Sequence, residues 1–384
     1  MPTYKSLIVA LPLLTGLAAA QSAPGISRAE APVAALAAIT GPGNINFVKL
    51  AGDGPGVWTA SATSGSTLLI GKYDQGNGTW TATTEAAALN PNTGNFGLML
   101  DSTGKYCVFD RADGVYFSSR SGPGVAFAAP VKVTITLAGF YVDPALAYEG
   151  GKLQLVWTTG TQVMMQELDI TTLTAPAVTG TARAIATRIG ASGAIHSPSP
   201  VHGPDGDIEG LFCAESLGTD LYFKSNLDPA ESAIRVLDTP DWANNGGIAG
   251  AHIVYVRASA IRDFEAGWLT GDVEAPGGTV DLGAAAPSSK GNAITLLYLS
   301  DKVVAPITLP APFNVGALAL NGAVFISLGA IAHKGADQTG SVSFKLPNDP
   351  ALKGSIAIQG ISFDVDSAFP HTWAWTNTAH IVVK

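Results

Sequence analysis

From Val57 onward, hydrophobic residues fall in runs of about five or six separated by turns rich in Gly, Ser, Thr, Asn and Asp, the rhythm of strands rather than helices. Val57 to Ala62 (VWTASA) and Thr67 to Lys72 (TLLIGK) flank Ser64-Gly65-Ser66 and predict a first β-hairpin. Adding 48 to each position lands on Lys105 to Asp110 (KYCVFD) and Val115 to Arg120 (VYFSSR). Adding 48 again lands on Leu153 to Trp157 (LQLVW) and Val163 to Leu168 (VMMQEL). A step of 58 then reaches the stretch His196 to Ser225, HSPSPVHGPDGDIEGLFCAESLGTDLYFKS, the ten extra residues being assigned to a loop from His196 to Pro204. A slide of 106 puts Asp207, Cys213, Tyr222, Phe223 and Ser225 on Asp101, Cys107, Tyr116, Phe117 and Ser119. A fifth, poorer copy runs from Ile248 to Leu282.

Units of roughly 40–50 residues, each with several short strands, are the pattern of β-propeller blades, because one blade cannot cover both of its own faces and a ring of blades can. The expected fold is therefore all-β: a five-bladed propeller over residues 40–283, with six blades open if residues 26–50 contribute strands. A linker at 284–290 (AAAPSSK) follows, and the 48-residue rhythm stops there. Residues 291–384 hold about six alternating apolar runs. In Ser341-Val342-Ser343-Phe344-Lys345-Leu346 the alternation buries Val342, Phe344 and Leu346 on one face, so a C-terminal β-sandwich is expected.

The first residues change the picture of the compartment. MPTYKSLIVALPLLTGLAAAQ has one early Lys, an apolar run and a small-residue site at Ala18-Ala19-Ala20, which predicts a secretory signal at 1–20. An extracellular or periplasmic protein with no later membrane span follows. Residues 21–39 are Ala- and Pro-rich; a short helix, a propeptide and an extended closing strand all fit them. Charged residues make up 13% of the chain against 47% hydrophobic, so a large core forms under a surface of hydroxyls and amides. A net charge of −9 without a basic cluster excludes nucleic acid as a partner and leaves an extracellular glycan or cell-surface component. The two cysteines, Cys107 and Cys213, occupy equivalent places in units separated by a third. They are expected to be free and buried rather than bridged.

The hairpin units resemble the repeats of WD40-like, TolB-type propellers, in which D-G-x-x-L-Y-F-S-type strands recur. The tail carries Lys345-Leu346-Pro347-Asn348-Asp349-Pro350-Ala351-Leu352-Lys353-Gly354, then Ile358-Gln359-Gly360 and Thr376-Asn377-Thr378-Ala379. It resembles the C-terminal domain of secreted planctomycete-type extracellular proteins. The resemblance implies a compartment and a fold, and it brings no catalytic residues.

Candidate chemistry is sparse. Asp205, Asp207 and Glu209 alternate as in a calcium loop, against a plain Pro-Asp-Gly turn; calcium is the one candidate cofactor. His196 and His202 bracket the Ser-Pro-Ser-Pro stretch, and Asp241, Trp242, Asn244 and Asn245 supply an aromatic group beside amides. These two regions are read as the longest loops and hence as the ligand-binding end of the propeller. Trp373 and Trp375 share a strand face that is either a sugar platform or sandwich core. Asp101, Asp143, Glu149, Asp207, Glu209 and Glu215 are the carboxylates that a glycosidase would draw on, and none sits in a recognisable motif. The expected function is a secreted, non-catalytic binding or surface-structural protein, carbohydrate-binding in one form, with a secreted glycan-active hydrolase of five-bladed propeller type as the alternative. The binding reading carries a corollary, that no pair of carboxyl groups about 5 to 10 Å apart, flanking an open cleft and with at least one raised pKa, lines the propeller's central opening.

Overall fold

The computed structural model describes residues 22–32, 45–52, 57–64, 66–74, 79–91, 94–135, 143–189, 193–203, 206–215, 220–238, 243–257, 260–287, 292–334, 339–367 and 373–384. The segment read as a secretory signal lies outside them.

The described chain is almost entirely strand and forms a β-propeller. Sheet 1 holds Ile45–Gly52, Val57–Ser64, Thr67–Asp74 and Thr79–Ala82; sheet 2 holds Phe96–Leu100, Tyr106–Arg111, Gly114–Ser119 and Val131–Lys132. Sheet 3 holds Ala145–Glu149, Lys152–Thr158, Gln162–Asp169 and Ala177–Thr187; sheet 4 holds His196–His202, Ile208–Glu215, Asp220–Lys224 and Ile234–Asp238. Sheet 5 takes Ala243–Ala249, His252–Arg257 and Ala260–Ala266 in order and receives Ile26–Pro32 as its fourth strand, antiparallel to Ala260–Ala266. Within residues 21–39 the described part thus includes an extended strand that closes sheet 5. The first strands of sheets 1 to 5 touch one another in cyclic order, the fifth returning to the first, so the sheets surround a common axis.

The repeat spacing is explained by what each hairpin does. The second strand of a sheet is covered on both faces: Leu153 to Thr158 are all buried, and so are Gly210 to Glu215. Such a strand reads as a continuous apolar run. Neighbouring sheets then share cores. Met99, Phe117, Val156, Met165, Leu211 and Cys213 belong to one cluster that links sheets 2, 3 and 4. Cys107 and Cys213 lie on equivalent second strands with sheet 3 between them; both are buried and free. Burial pushes both thiols well above their usual range.

The repeated acids are braces. Asp101 accepts hydrogen bonds from the Tyr106 N–H (2.7 Å), the Thr103 hydroxyl and the Tyr148 hydroxyl of sheet 3 (3.1 Å). Its counterpart Asp207 accepts from the N–H groups of Gly150 (2.6 Å) and Gly151 (3.4 Å), again in sheet 3. Each thus ties its own hairpin to a neighbouring sheet.

The remaining strands form a second unit whose boundary differs from the expected one. Trp268–Leu269 and Thr279–Ala285 pair with each other, and Thr279–Ala285 pairs in turn with Thr339–Lys345; Asp272–Glu274 adds to the five-stranded sheet of Trp373–Val383, Gly354–Asp364, Asn292–Ser300 and Ile326–Lys334. The stretch 268–283, expected in the propeller, therefore belongs to the C-terminal sheets. The physical reason is the fourth strand supplied by Ile26–Pro32, which occupies the edge of Ala260–Ala266 that the following chain would otherwise join. The two sheets share a core of Leu269, Val280, Leu282, Leu297, Ile331, Ile358, Ala379 and Ile381. Residues 284–290 are accordingly not a simple linker, since Ala284 and Ala285 close a strand. The chain also ties its ends together: Ser22 exchanges hydrogen bonds with Thr378, and Gly25 N–H donates to the Trp375 carbonyl (2.8 Å) just before the chain enters sheet 5.

Candidate functional site

The register of the strands defines two ends of the ring. At one end the first strands begin and the second strands finish, as the pairs Phe96 with Asp110, Ala145 with Val156 and His196 with Ala214 show. At the other end Leu100 meets Cys107, Glu149 meets Lys152 and His202 meets Ile208.

The residues read as one ligand end are split between these two. The stretch His196–His202 is not a loop; it is the first strand of sheet 4, and its Pro198 and Pro200 are tolerated there because a strand at a sheet's inner edge leaves N–H positions unpaired. His196 and His202 therefore stand at opposite ends, about 20 Å apart for six residues of strand. Asn244 and Asn245 likewise lie on the first strand of sheet 5 rather than in a loop. Asp241, Trp242 and Asp205 lie outside the described residues.

The His202 end faces the C-terminal unit. The Thr270 hydroxyl donates to Glu209 Oε2 (2.7 Å), and Gly271 N–H donates to the Ser225 carbonyl (2.7 Å). Lys384 pairs with Asp228 (3.2 Å) and His380 with Glu231. A Cβ at Gly283 would stand 2.5 Å from Glu209 Oε2, so the glycine is what lets the second unit come this close. Glu209 is engaged here and Asp207 on Gly150 and Gly151, and no group of three metal-ligating side chains occurs among the described residues. Burial, opposed by Asp207, pushes the His202 imidazole down to about 4, and its Nε2 is buried without a hydrogen-bond partner among the described residues.

The opposite end is different. Asp143 (φ 33°) and Ser197 (φ 53°) are the only residues other than glycine in the left-handed region among those described, each precedes a proline, and each stands at the start of the first strand of its sheet. A side chain with a Cβ is strained at such a φ, and a following proline ring restricts the residue further. The strain brings the two together: Ser197 donates to Asp143 Oδ2 from its N–H (2.9 Å) and its hydroxyl (3.4 Å). His196 Nδ1 lies 3.1 Å from the Ser197 hydroxyl. Near Asp143, at the end of the second strand of sheet 2, is Asp110, whose Oδ1 is buried with no hydrogen-bond partner among the described residues. Burial first, and the Asp143 charge second, raise the Asp110 carboxyl to about 7. Strained backbone of this kind gathers where a surrounding fold holds a group for a purpose.

Sequence reasoning named Asp143 and His196 but missed Asp110 and Ser197. Asp110 ends KYCVFD one residue before a turn, a place where an acid ordinarily faces water, and nothing in the sequence shows that it turns inward. Of the other candidate carboxylates, Glu149 forms an exposed ion pair with Arg183, and Glu215 accepts the Ile189 N–H (2.7 Å). Asp110, with its raised carboxyl, and Asp143 are the carboxyl pair at this end of the ring. On the C-terminal unit Trp375 is buried, whereas Trp373 is half-buried against Phe363 (4.3 Å between ring centroids) and Phe313 (5.4 Å). The two tryptophans therefore divide between core and surface.

No protein-family model matches the chain, and no curated protein matches it. Solved structures with similar folds include a thermostable family-43 glycoside hydrolase, 10% identical over 58% of this chain and 87% of that one, with a TM-score of 0.40. A glutaminyl cyclase from Myxococcus xanthus is 12% identical over 64% of this chain and 97% of its own, with a TM-score of 0.41. A further glycoside hydrolase is 8% identical over 88% and 98%, with a TM-score of 0.39. Likeness at these scores carries nothing about what this chain acts on.

Proposed function

We propose that this chain is a secreted glycan-binding protein, a five-bladed propeller with a two-sheet C-terminal unit, whose ligand sits at the ring end marked by Asp110, Asp143, Ser197 and His196. The observation that carries the reading is the Asp143–Ser197 contact, held in strained backbone beside an acid with a buried, unpartnered oxygen. An acceptor fixed next to a protonated carboxyl presents hydrogen-bonding groups without a pair of full charges, which suits an uncharged, hydroxyl-rich ligand. The chain's net charge of −9 argues against anionic ligands.

A secreted glycan-active hydrolase is the second reading, favoured by the same pair, since glycoside hydrolysis employs one carboxyl kept protonated and another kept ionised. The test is a glycan array probed with the mature full chain, followed by product analysis on every glycan that binds. Retention of neutral glycans, abolished by Asp143→Ala, supports the binding reading; released sugar in step with enzyme concentration supports the hydrolase; no retained and no cleaved glycan refutes both.

A further inference from the structure

We propose that Asp110 and Asp143 form a donor–acceptor couple that reads two adjacent hydroxyls of a sugar ring, Asp110 donating its carboxyl proton to one oxygen and Asp143 accepting from the next. The proposal rests on the glycan-binding reading above and adds the chemistry of recognition.

The couple is asymmetric in its surroundings. Asp143 Oδ2 already accepts from the N–H and hydroxyl of Ser197, which fix its direction. Asp110 has fewer donors: its own backbone N–H is the one that lowers its carboxyl, and its Oδ1 is buried and unpartnered among the described residues, close enough to the Gly97 Cα that an added Cβ would stand 3.2 Å from it. A buried oxygen without a partner is costly, so the group is satisfied only when it keeps its proton or meets a ligand. Among the described charged groups near it, Asp143 is the one that perturbs it. Arg111, next in the strand, is turned away, its Nε donating to Asn95 (2.7 Å) and its guanidinium resting over the Tyr116 ring (4.2 Å). His196 stands at the start of the neighbouring first strand and engages the Ser197 hydroxyl. No cation among the described residues lowers the Asp110 carboxyl against the Asp143 charge, so a proton on Asp110 is the simplest way to hold the two carboxyls together.

This predicts a pH dependence of binding. With the Asp110 carboxyl at about 7, the protonated and binding-competent fraction falls by about tenfold between roughly pH 6 and pH 8, and the apparent affinity falls with it. Asp110→Asn supplies an N–H donor at every pH and removes the repulsion.

The experiment uses the mature full chain and four neutral probes, hexamers of β-1,4-glucan, xylan, mannan and α-1,4-glucan, with calorimetric affinities at about pH 6 and pH 8 on either side of the Asp110 carboxyl. The expected result is a loss of about tenfold at the higher pH for the native chain, none for Asp110→Asn, and undetectable binding for Asp143→Ala. Equal affinity of the native chain at both pH values, or an Asp110→Asn profile that still falls, overturns the couple while leaving glycan binding in place. Failure of all four probes to bind overturns both readings. Circular dichroism of each variant guards against a folding defect. Carbon NMR of the Asp110 carboxyl, assigned by its disappearance in Asp110→Asn, tests the proton directly: a carboxyl already ionised at about pH 6 refutes the couple without any ligand.

Discussion

His202 gives the sharpest test of how the first strand of sheet 4 is packed. In the folded chain its imidazole is held neutral down to about 4, because burial outweighs the pull of Asp207; unfolded, it takes a proton at its ordinary value of 6.5. Between these values the unfolded state binds a proton that the folded state refuses, so stability falls as the pH drops from about 6.5 and levels off below about 4. At about 1.4 kcal/mol per unit, the full window amounts to about 3 kcal/mol, and the first unit, down to about pH 5.5, to somewhat under half of it. The assay is urea unfolding of the native chain and of His202→Leu, which binds no proton, at about pH 7, 5.5 and 4. The raised Asp110 carboxyl works in the opposite sense, its folded form gaining a proton first, but it is common to both proteins and cancels in the difference. The native chain should lose about 3 kcal/mol relative to the variant across the range. Parallel stability curves would refute the argument that this histidine is desolvated in the folded chain.

Three further outcomes follow from the same contacts. Thiol titration should find no reactive cysteine in the folded chain and two after denaturation, because Cys107 and Cys213 are free and buried; a mass lower by two hydrogens would show a bridge instead. Glu209→Gln and Thr270→Val, combined in a double-mutant cycle on unfolding free energy, should show a coupling of about 1 kcal/mol or more, as a charge-assisted hydrogen bond between the two units requires. Removing residues 22–32 should lower the melting temperature and promote association, since it strips Ala260–Ala266 of its partner and exposes that edge; an unchanged, monomeric chain would show that the closing strand is dispensable.

The propeller was legible because its blades repeat physics as well as letters. The middle of a second strand is sealed on both faces, most fully in sheets 3 and 4, so an apolar run recurs there, and the steps of 48 and 58 residues record its spacing. The Asp101 and Asp207 matches were legible for a related reason: both brace a hairpin to sheet 3, so the same residue recurs at the same place. The same logic misled the reading of the ten extra residues. Spacing records how much chain lies between hairpins, and it does not say whether that chain is loop or strand; His196–His202 is strand despite two prolines. The boundary at 268 was hidden for want of a local signal, because the partner of sheet 5 comes from residues more than 200 positions earlier.

The site itself was half legible, and the reason bears on where the function lies. Asp101 and Asp207 spend their oxygens on backbone N–H groups and recur at one place in the repeat, so pattern finds them. Asp110 belongs to no repeat, since the step of 48 puts its counterpart in sheet 1 at Ala62 and its counterpart in sheet 3 at Thr158. Its Oδ1 is buried without a hydrogen-bond partner among the described residues, near an aspartate held in left-handed backbone. An apolar residue at 110 would relieve the buried oxygen, and a glycine at 143 would relieve the backbone at the cost of the acceptor that ties sheet 3 to Ser197 of sheet 4. Both strains being kept at one end, while the other end is occupied by the C-terminal unit, makes the Asp110–Asp143 end the place where a ligand is to be sought.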